Sequence, residues 1–250
     1  MKDTVTMAYV NMFAVLKTLE NLCQIDEEAG SIAGKGPVSI GFSVQGGPKG
    51  TLAFENGACK MTEGAHGQIK LYFRSCEHFN AMIDGKANPI PYGGLTKIGF
   101  LTKDFIRLTD ILTGYLRASE EALKDRAFFE KSTFLMFHLI ANALSAIGSH
   151  DPIATYSLQN LPDGVISMEI TDRAYAGIVV QNGVMRTLDG RAERPRSYMV
   201  FADYDVARGL FEGTVNSFTA LANGSLAMRG YIPMIDNLNR ILNRVAVYLA

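Results

Sequence analysis

Three side chains that could form a hydrolytic triad are neighbours in the segment GSHD (148–151). Ser149, His150 and Asp151 could act as nucleophile, base and orienting acid only if the fold placed the histidine between the other two. Adjacent residues of a chain point in different directions, so sequence neighbours do not meet in this way. The segment also follows a long apolar run. We therefore predict the end of a helix here and not a catalytic site.

The stretch AGSIAGKGP (29–37) has the glycines and lysine of a phosphate-binding loop. Such a loop needs four residues between its first glycine and the Gly-Lys pair, and then serine or threonine. Here three residues separate Gly30 from Gly34-Lys35, and Gly36 follows. The spacing argues against phosphate binding, and we interpret the stretch as a flexible turn before the first strand.

Histidines and cysteines are too scattered to predict a metal site. No pair of them has the spacing of a zinc or iron site or of a redox motif. His138 lies in an apolar run and is interpreted as a core histidine. The cysteines are interpreted as small buried hydrophobes in a reducing compartment. The residues concerned are His66, His78, His138, His150, Cys23, Cys59 and Cys76. No metal, cofactor or catalytic residue is predicted.

Arginines are concentrated in one short stretch of the second half, at Arg191, Arg194 and Arg196. We interpret this stretch, and the Asp172-Arg173 pair, as solvated faces or a loop. Contact of these arginines with an acidic headgroup remains an alternative.

Composition excludes several functional classes. The chain has 250 residues, of which 48% are hydrophobic and 20% charged, and a formal net charge of −1. A nucleic-acid-binding protein needs a basic face, which this balance does not provide. The apolar run near the N-terminus is too short and too interrupted for a signal peptide, and 134–148 is too short to span a bilayer. We expect a cytoplasmic protein with at most transient membrane contact. The sequence does not indicate an oligomeric state.

The two halves of the chain repeat each other in three blocks. TLAFENGACKMTEG (51–64) aligns with GIVVQNGVMRTLDG (177–190), and FRSCEHFNAMIDG (73–85) aligns with FADYDVARGLFEG (201–213). In the third block Gly93, Gly99 and Phe100 align with Gly224, Gly230 and Tyr231. A repeat of domain size indicates a duplicated domain.

Each copy has the pattern of a helix, a strand–Asn-Gly–strand hairpin, a third strand, a helix, a short strand and a closing amphipathic helix. This order predicts an α+β fold with a mostly antiparallel sheet of about five strands covered by helices. We place the domains at 1–118 and 119–250 and expect pseudo-twofold symmetry between them. Glycines and apolar surface recur between the copies but reactive groups do not, which favours binding over catalysis.

The closing helices have the most informative apolar stripes. Such a stripe is typical of a core, but it could also face an apolar cavity over the sheet. The eleven methionines favour an adaptable apolar surface. The stripes are Phe105, Leu108, Ile111, Leu112 and Tyr115 in the first copy, and Ile235, Leu238, Ile241, Leu242, Val245 and Leu249 in the second.

These segments resemble the sterol carrier protein type 2 family of lipid-transfer domains. The resemblance lies in FENGACKMTEG, in IDGKANP where a helix ends in Gly-Lys, and in GGLTKIGF before the closing helix. In the second copy Thr214 replaces the lysine, while Gly224–Gly230 keeps the strand pattern. The resemblance covers roughly 38–116 and 165–249. It implies a sheet of about five strands that encloses, with its helices, an apolar tunnel for fatty acyl or sterol-like ligands, and it implies no catalytic residue.

We therefore predict non-catalytic binding or carriage of a lipid-like apolar small molecule, and no nucleic-acid partner. Two alternatives remain: an interaction or regulatory module with a closed cavity, and, less favoured, an enzyme acting on a lipid ester or thioester. The predicted ligand-binding residues are Phe79, Met82, Phe100, Phe105, Leu108, Ile111 and Leu112 in the first copy, and Leu210, Phe211, Tyr231, Ile235, Leu238, Ile241 and Leu242 in the second.

Overall fold

The computed structural model describes residues 2–249, apart from the side chain of Leu95. The chain divides into two compact units between Lys124 and Asp125. Each unit is an α+β structure with one five-stranded sheet, and the strand orders are β3-β2-β1-β4-β5 and β8-β7-β6-β9-β10. The two orders match strand by strand: β3 corresponds to β8, β2 to β7, β1 to β6, β4 to β9 and β5 to β10.

In unit 1 the helices precede, interrupt and follow the strands. The helices are α1 (Thr4–Val10), α2 (Leu19–Ile25), α3 (Glu27–Ala33), α4 (Cys76–Ile83) and α5 (Ile106–Leu116), with π-helical segments at Asn11–Val15 and Phe100–Phe105 and 3₁₀ turns at Leu16–Thr18, Leu95–Lys97 and Ala122–Lys124. The strands are β1 (Val38–Val44), β2 (Lys49–Glu55), β3 (Ala58–Glu63), β4 (Ile69–Phe73) and β5 (Ile90–Gly93). Helix α3 occupies part of the stretch 29–37, so the prediction of a flexible turn there is wrong for 29–33.

Unit 2 follows a similar order. The helices are α6 (Arg126–His150), α7 (Ala154–Gln159), α8 (Tyr204–Phe211), α9 (Ser217–Ala222) and α10 (Ile232–Leu249). The strands are β6 (Gly164–Ile170), β7 (Ala174–Gln181), β8 (Val184–Asp189), β9 (Ser197–Phe201) and β10 (Leu226–Gly230). We call α5 and α10 the closing helices.

Both sheets are mixed, which corrects the expectation of largely antiparallel sheets. Three strand pairs in each sheet are antiparallel, but β1 pairs with β4, and β6 with β9, in parallel. The reason is geometric: β3 already runs in the direction of β1, and the connection after it returns across the sheet before β4 begins. We call this connection, residues 64–68 in unit 1 and 190–196 in unit 2, the crossing loop.

The crossing loop lies against the sheet. In unit 1 a Cβ added to Gly41 on β1 would lie 2.8 Å from the backbone nitrogen of Gly67, so both positions need glycine. In unit 2 a Cβ on Gly177 of β7 would lie 3.3 Å from the Cβ of Ala192. Each sheet therefore has one face whose side chains are buried, the covered face, and one face crossed by this loop, the open face.

The predicted Asn-Gly hairpins are confirmed in both units. Asn56 and Gly57 have φ values of 54° and 79°, and Asn182 and Gly183 have 51° and 71°. Two consecutive left-handed residues form the turn that matches the twist of a two-residue hairpin. The flanking pairs are Glu55 with Ala58 and Gln181 with Val184.

The predicted helix before the short strand is also confirmed in each unit, but it follows a fourth strand, β4 or β9, and not a third. The Ser75 hydroxyl accepts a hydrogen bond from the His78 amide at the start of α4, and the Asp203 carboxylate accepts one from Val206 at the start of α8. Both are N-caps, which satisfy amides that have no partner in the helix. Gly85 and Gly213, with φ of 71° and 73°, follow the helix ends as predicted.

The third block of the repeat was aligned wrongly. Strand β5 ends at Gly93, and the residues aligned with β10, up to Phe100, are largely helical. The structural counterpart of Gly230 is Gly94 and not Gly99. A Cβ on Gly94 would collide with the carbonyl oxygen of Gln68 just before β4, and a Cβ on Gly230 would collide with that of Arg196 just before β9. Both glycines also have positive φ.

Helix α6 is longer than the apolar run at 134–148 suggested. It has 25 residues and, by length and composition, could cross a membrane, but 83% of its most apolar window is buried. Core helices of many proteins have the same length and composition, so this is weak evidence for a membrane segment. No other helix of the described chain meets the same criteria.

Candidate functional site

Sheet phenylalanines form the centre of the covered face of unit 1. The ring of Phe42 on β1 lies 6.3 Å from that of Phe79 on α4 and 6.2 Å from that of Phe105. The ring of Phe54 on β2 lies 5.2 Å from that of Phe100 and 6.5 Å from that of Phe105. Three predicted ligand-binding residues, from α4 and the π-helical segment, therefore meet over the same two strands.

Closing helix α5 carries both buried and partly exposed members of the predicted set. Leu108 is fully buried and Leu112 is 3% exposed, whereas Ile111 is half-buried. Met82 on α4 and Phe100 in the π-helical segment are likewise half-buried. The predicted residues on α4, the π-helical segment and α5 therefore form an apolar stripe that extends from the core to the solvent.

Polar contacts join α5 to α3. The Tyr115 hydroxyl donates to Asp26 Oδ2 over 3.0 Å. Burial and this hydrogen bond raise the pKa of Tyr115 to about 12. The guanidinium of Arg107 donates to both carboxylate oxygens of Glu28, at 2.7 and 2.8 Å, but both side chains are about half exposed. Exposed pairs contribute little stability, so apolar packing holds most of this helix.

The covered face of unit 2 has the same construction. The ring of Phe201 on β9 lies 6.4 Å from that of Phe137 on α6 and 5.4 Å from that of Phe211 on α8. Of the predicted residues on closing helix α10, Ile235, Leu238 and Ile241 are buried and Leu242 is half-buried. Leu210 and Phe211 on α8 are also half-buried.

Tyr231 is not brought among these residues. It is 45% exposed, and the Arg196 guanidinium carbon lies 5.1 Å from its ring centroid. Three further apolar side chains that sequence reasoning missed are exposed on segments flanking β10: Phe218 at 81%, Leu221 at 40% and Ile232 at 69%. Phe218 and Leu221 are three residues apart on α9 and so share a helix face.

The GSHD segment has a structural role. Ser149 Oγ accepts a hydrogen bond from the Met185 amide over 3.1 Å and lies 3.3 Å from the Met185 carbonyl oxygen. The Asp151 carboxylate caps α7 through the amides of Ile153 and Ala154. It also accepts hydrogen bonds from the Arg244 guanidinium and the Tyr248 hydroxyl, at 2.7 Å each.

This network sets the charge state of Asp151. Burial raises the pKa of the carboxyl group, but the hydrogen bonds from Arg244, Tyr248 and the Ala154 amide outweigh it and lower the pKa to about 2. Burial lowers the pKa of neighbouring His150. Asp151 is therefore a buried anion that ties α6 and α7 to the closing helix α10.

The three cysteines are buried, as the sequence predicted. Cys23 on α2 and Cys59 on β3 are hydrogen-bonded to each other. Burial raises the pKa of Cys59 well above its ordinary value, and the hydrogen bond lowers that of Cys23. Within residues 2–249, no group of three or more histidine, cysteine or acidic side chains could hold a metal ion.

A groove with a volume of about 760 Å³ lies on the open face of unit 2. Its floor includes Glu169 on β6 and Val200 on β9, which are paired across the two strands. Tyr175, paired with Glu169, lies on one side, and Tyr198 lies on the other. Volumes of this size are typical of small-molecule sites.

Three arginines border the groove: Arg191 and Arg194 from the crossing loop, and Arg229 from β10. Tyr198 and Arg229 are paired across β9 and β10. The Arg191 guanidinium carbon lies 4.8 Å from the ring centroid of Tyr175. The sequence indicated a solvated loop here, with contact to an acidic headgroup as the alternative, and did not associate Arg229 with the other two because it is too far along the chain. Arg196 has a different role and donates to the Asp163 carbonyl oxygen.

No protein-family model matches the chain, and no curated protein matches significantly. Among solved structures, sterol carrier protein domain 2 of Helicoverpa armigera is 14% identical, with a TM-score of 0.35, and the match covers 43% of this chain and 85% of that one. A UbiJ-SCP2 ubiquinone synthesis protein is 15% identical, with a TM-score of 0.35 and coverages of 44% and 96%.

Other similar structures include the apo form of sterol carrier protein 2 from Yarrowia lipolytica, at 15% identity and a TM-score of 0.33. This match covers 44% of this chain and 92% of that one. The sec-alkylsulfatase Pisa1 from Pseudomonas sp. is 10% identical, with a TM-score of 0.26 over 60% of this chain and 29% of that one. Sterol carrier protein 2 domains are thus among the similar structures, but identities and TM-scores this low transfer no function to the chain.

Proposed function

We propose that this chain binds or carries a lipid-like, largely apolar ligand, fatty acyl or sterol-like, without catalysing a reaction. The ligand lies between the covered face of a sheet and its closing helix. We also propose that the two units are tandem copies of one sterol-carrier-like domain. The common strand order, the Asn-Gly hairpins and the glycine pair Gly94 and Gly230 support the second proposal.

The observation that carries the functional proposal is the apolar stripe of unit 1. Phe79 on α4 and Leu108 on α5 are buried, as is Phe105 just before α5. Met82 and Ile111 on the same two helices are half-buried. An apolar stripe that continues from a core to the solvent leaves unfavourable surface in water, and a bound acyl or ring system would cover it.

The energetics are sufficient for useful affinity. Each buried methylene contributes about 0.8 kcal/mol, so a chain of about sixteen carbons could gain roughly 13 kcal/mol before ordering costs. Micromolar affinity needs only about 8 kcal/mol. No polar recognition chemistry is required, which is in keeping with a carrier.

Unit 1 is the better candidate for ligand uptake. In unit 2, Phe137 from the long helix α6 is fully buried against Phe201 on the covered face. Unit 1 has an irregular connection of 3₁₀ and π-helical segments between β5 and α5. π-Helical segments are frequent at functional sites, and this one carries half-buried Phe100.

Tryptophan substitutions on α5 test the proposal. We expect Ile111→Trp to weaken the binding of a fluorescent fatty acid to the full chain by roughly tenfold or more, because the larger side chain fills ligand space. Ile106→Trp is the matched control, since Ile106 is on the same helix and 51% exposed. We expect this control to bind the fatty acid like the unsubstituted chain.

Circular dichroism and thermal unfolding of both variants check that they are folded. Native mass spectrometry of the gently purified chain provides an independent measurement, with a co-purifying lipid as the expected result. The proposal fails if neither method detects an apolar ligand. It also fails for this helix if both folded variants bind the fatty acid equally well.

A further inference from the structure

The groove on the open face of unit 2 is separate from the covered face that the proposed function uses. We propose that it binds a small molecule through an anionic group, phosphate or carboxylate, held by Arg191, Arg194 and Arg229. This site is on the opposite side of the sheet, so its existence does not depend on apolar binding.

The guanidinium groups of these three arginines are not engaged by carboxylates. In the described part of the chain, none of the three forms an ion pair or donates a hydrogen bond. Other arginines of the same unit do, such as Arg126 with Glu130, Arg240 with Asp236 and Arg244 with Asp151. Guanidinium groups bind phosphate and carboxylate through two parallel hydrogen bonds, so their donors remain available for such a ligand.

The local structure positions these arginines. Arg194 has a φ of 48°, a left-handed conformation that is unfavourable for a residue with a side chain. Such conformations persist where the surrounding structure requires them, and they concentrate at functional sites. Arg191 is positioned by its contact with the Tyr175 ring. Arg229 is held in register by the β9–β10 ladder.

The crossing loop of unit 1 differs from that of unit 2 in sequence and in packing. The crossing loop of unit 1 has the sequence GAHGQ, without arginine, and its Gly67 packs directly on Gly41. The crossing loop of unit 2, GRAERPR, is longer and provides one wall of the groove. The arginines and the space therefore occur together in one unit.

The remaining lining residues include two carboxylates, Glu169 and Asp172, so the ligand should carry a hydrogen-bond donor or positive group beside its anion. Tyr175 and Tyr198 offer apolar ring surface on two sides. The Glu169 carboxylate on the floor accepts a hydrogen bond from Ser167 Oγ over 2.7 Å and can accept another from a ligand hydroxyl or ammonium group. A compact phosphate or carboxylate with a neighbouring hydrogen-bond donor fits this arrangement. A free metabolite and the headgroup of an anionic lipid share this chemistry.

Calorimetry of the full chain with glycerol 3-phosphate tests whether the site binds a free anionic ligand. Sedimentation with vesicles tests whether it binds the headgroup of an anionic lipid. We expect Arg229→Gln and Arg194→Gln each to weaken binding roughly tenfold or more, as the loss of a charge-assisted hydrogen bond does. Arg186→Gln is the matched control, because Arg186 is exposed on edge strand β8 and is not part of the groove. We expect it to change the affinity less than twofold.

Binding of soluble glycerol 3-phosphate with this variant pattern supports a free anionic ligand. Binding only to phosphatidylglycerol vesicles, and not to phosphatidylcholine vesicles, with the same variant pattern supports a lipid headgroup. The proposal is overturned if the folded chain binds neither probe. It is also overturned if Arg186→Gln weakens binding as much as Arg229→Gln, because the attraction would then be nonspecific.

Discussion

Replacing Asp151 by alanine is expected to lower the free energy of unfolding of unit 2 by about 3–5 kcal/mol. The carboxylate is fully buried and accepts hydrogen bonds from Arg244, Tyr248 and two amides at the start of α7. Its removal leaves the Arg244 guanidinium, which is only 15% exposed, without its anion. Urea or thermal unfolding of the variant measures this loss.

The matched control is Asp236→Ala. Asp236 also pairs with an arginine on α10, Arg240, but at 3.2 Å and with both side chains about 60% exposed. An exposed pair of this kind contributes about 0.5 kcal/mol or less. If both variants lose stability equally, Asp151 does not act as a buried anchor.

Leu108→Ala is expected to lower the free energy of unfolding of unit 1 by about 2–5 kcal/mol. Leu108 is fully buried on the closing helix α5, so the substitution removes buried methyl groups and leaves a cavity. Ile106→Ala on the same helix changes a side chain that is 51% exposed, and we expect a loss of about 0.5 kcal/mol or less. Leu108 would instead line a cavity if Leu108→Ala lost little free energy of unfolding and Leu108→Trp blocked ligand uptake.

Acid should destabilise unit 2 through Asp151. Its pKa is lowered from 3.8 to about 2 in the folded chain. A carboxyl group with a lowered folded-state pKa stabilises the fold above its unfolded pKa, and this contribution is lost as the pH falls through the folded value. We expect the contribution, about 2 kcal/mol, to disappear between about pH 4 and pH 2.

The comparison with Asp151→Asn isolates this effect from other carboxylates, since asparagine has no charge to lose. The stability difference between the two proteins should be largest near neutral pH and should decrease as the pH falls below about 4. A difference that stays constant down to pH 2 would contradict a lowered pKa of Asp151 in the folded chain. Unfolding curves followed by circular dichroism at several pH values provide the measurement.

Local chemistry accounts for the parts of the fold that were predicted correctly. Asn56-Gly57 and Asn182-Gly183 define their turns through backbone conformation alone, and the glycines at 85 and 213 end helices in the same way. These features need only a few neighbouring residues, so a single sequence contains all the information that they require.

Pairing between distant segments accounts for the errors. The stretch after Gly94 ends in Gly99-Phe100, as β10 ends beside Gly230-Tyr231, and this similarity suggested a strand although the stretch is largely helical. Only contact with the carbonyl before β4 identifies Gly94 as the counterpart of Gly230. The direction of β4 likewise depends on where the crossing loop returns, which its own residues do not specify.

The candidate site was predictable only in part. Helical spacing correctly indicated which residues of α5 and α10 face inward, since Leu108, Leu112, Leu238 and Ile241 are buried. Periodicity cannot distinguish a packed residue from one that meets a ligand, because both are apolar and face the same way. The arginine groove joins residues from a loop and from a strand more than thirty positions later, and no sequence pattern connects them.

The parallel pair at the centre of each sheet also determines the order in which a unit can fold. The hairpins β1–β2 and β2–β3 close over short turns and can form within microseconds. Strand β4 pairs with β1 only across the intervening β2, β3 and crossing loop, which brings Ile69 beside Ile40. Until then the second edge of β1 is unpaired, and a chain still being synthesised exposes it. Strand β5 and the closing helix follow β4 in the chain. During synthesis the residues around Phe100 and Ile111 therefore emerge after all five strands of unit 1.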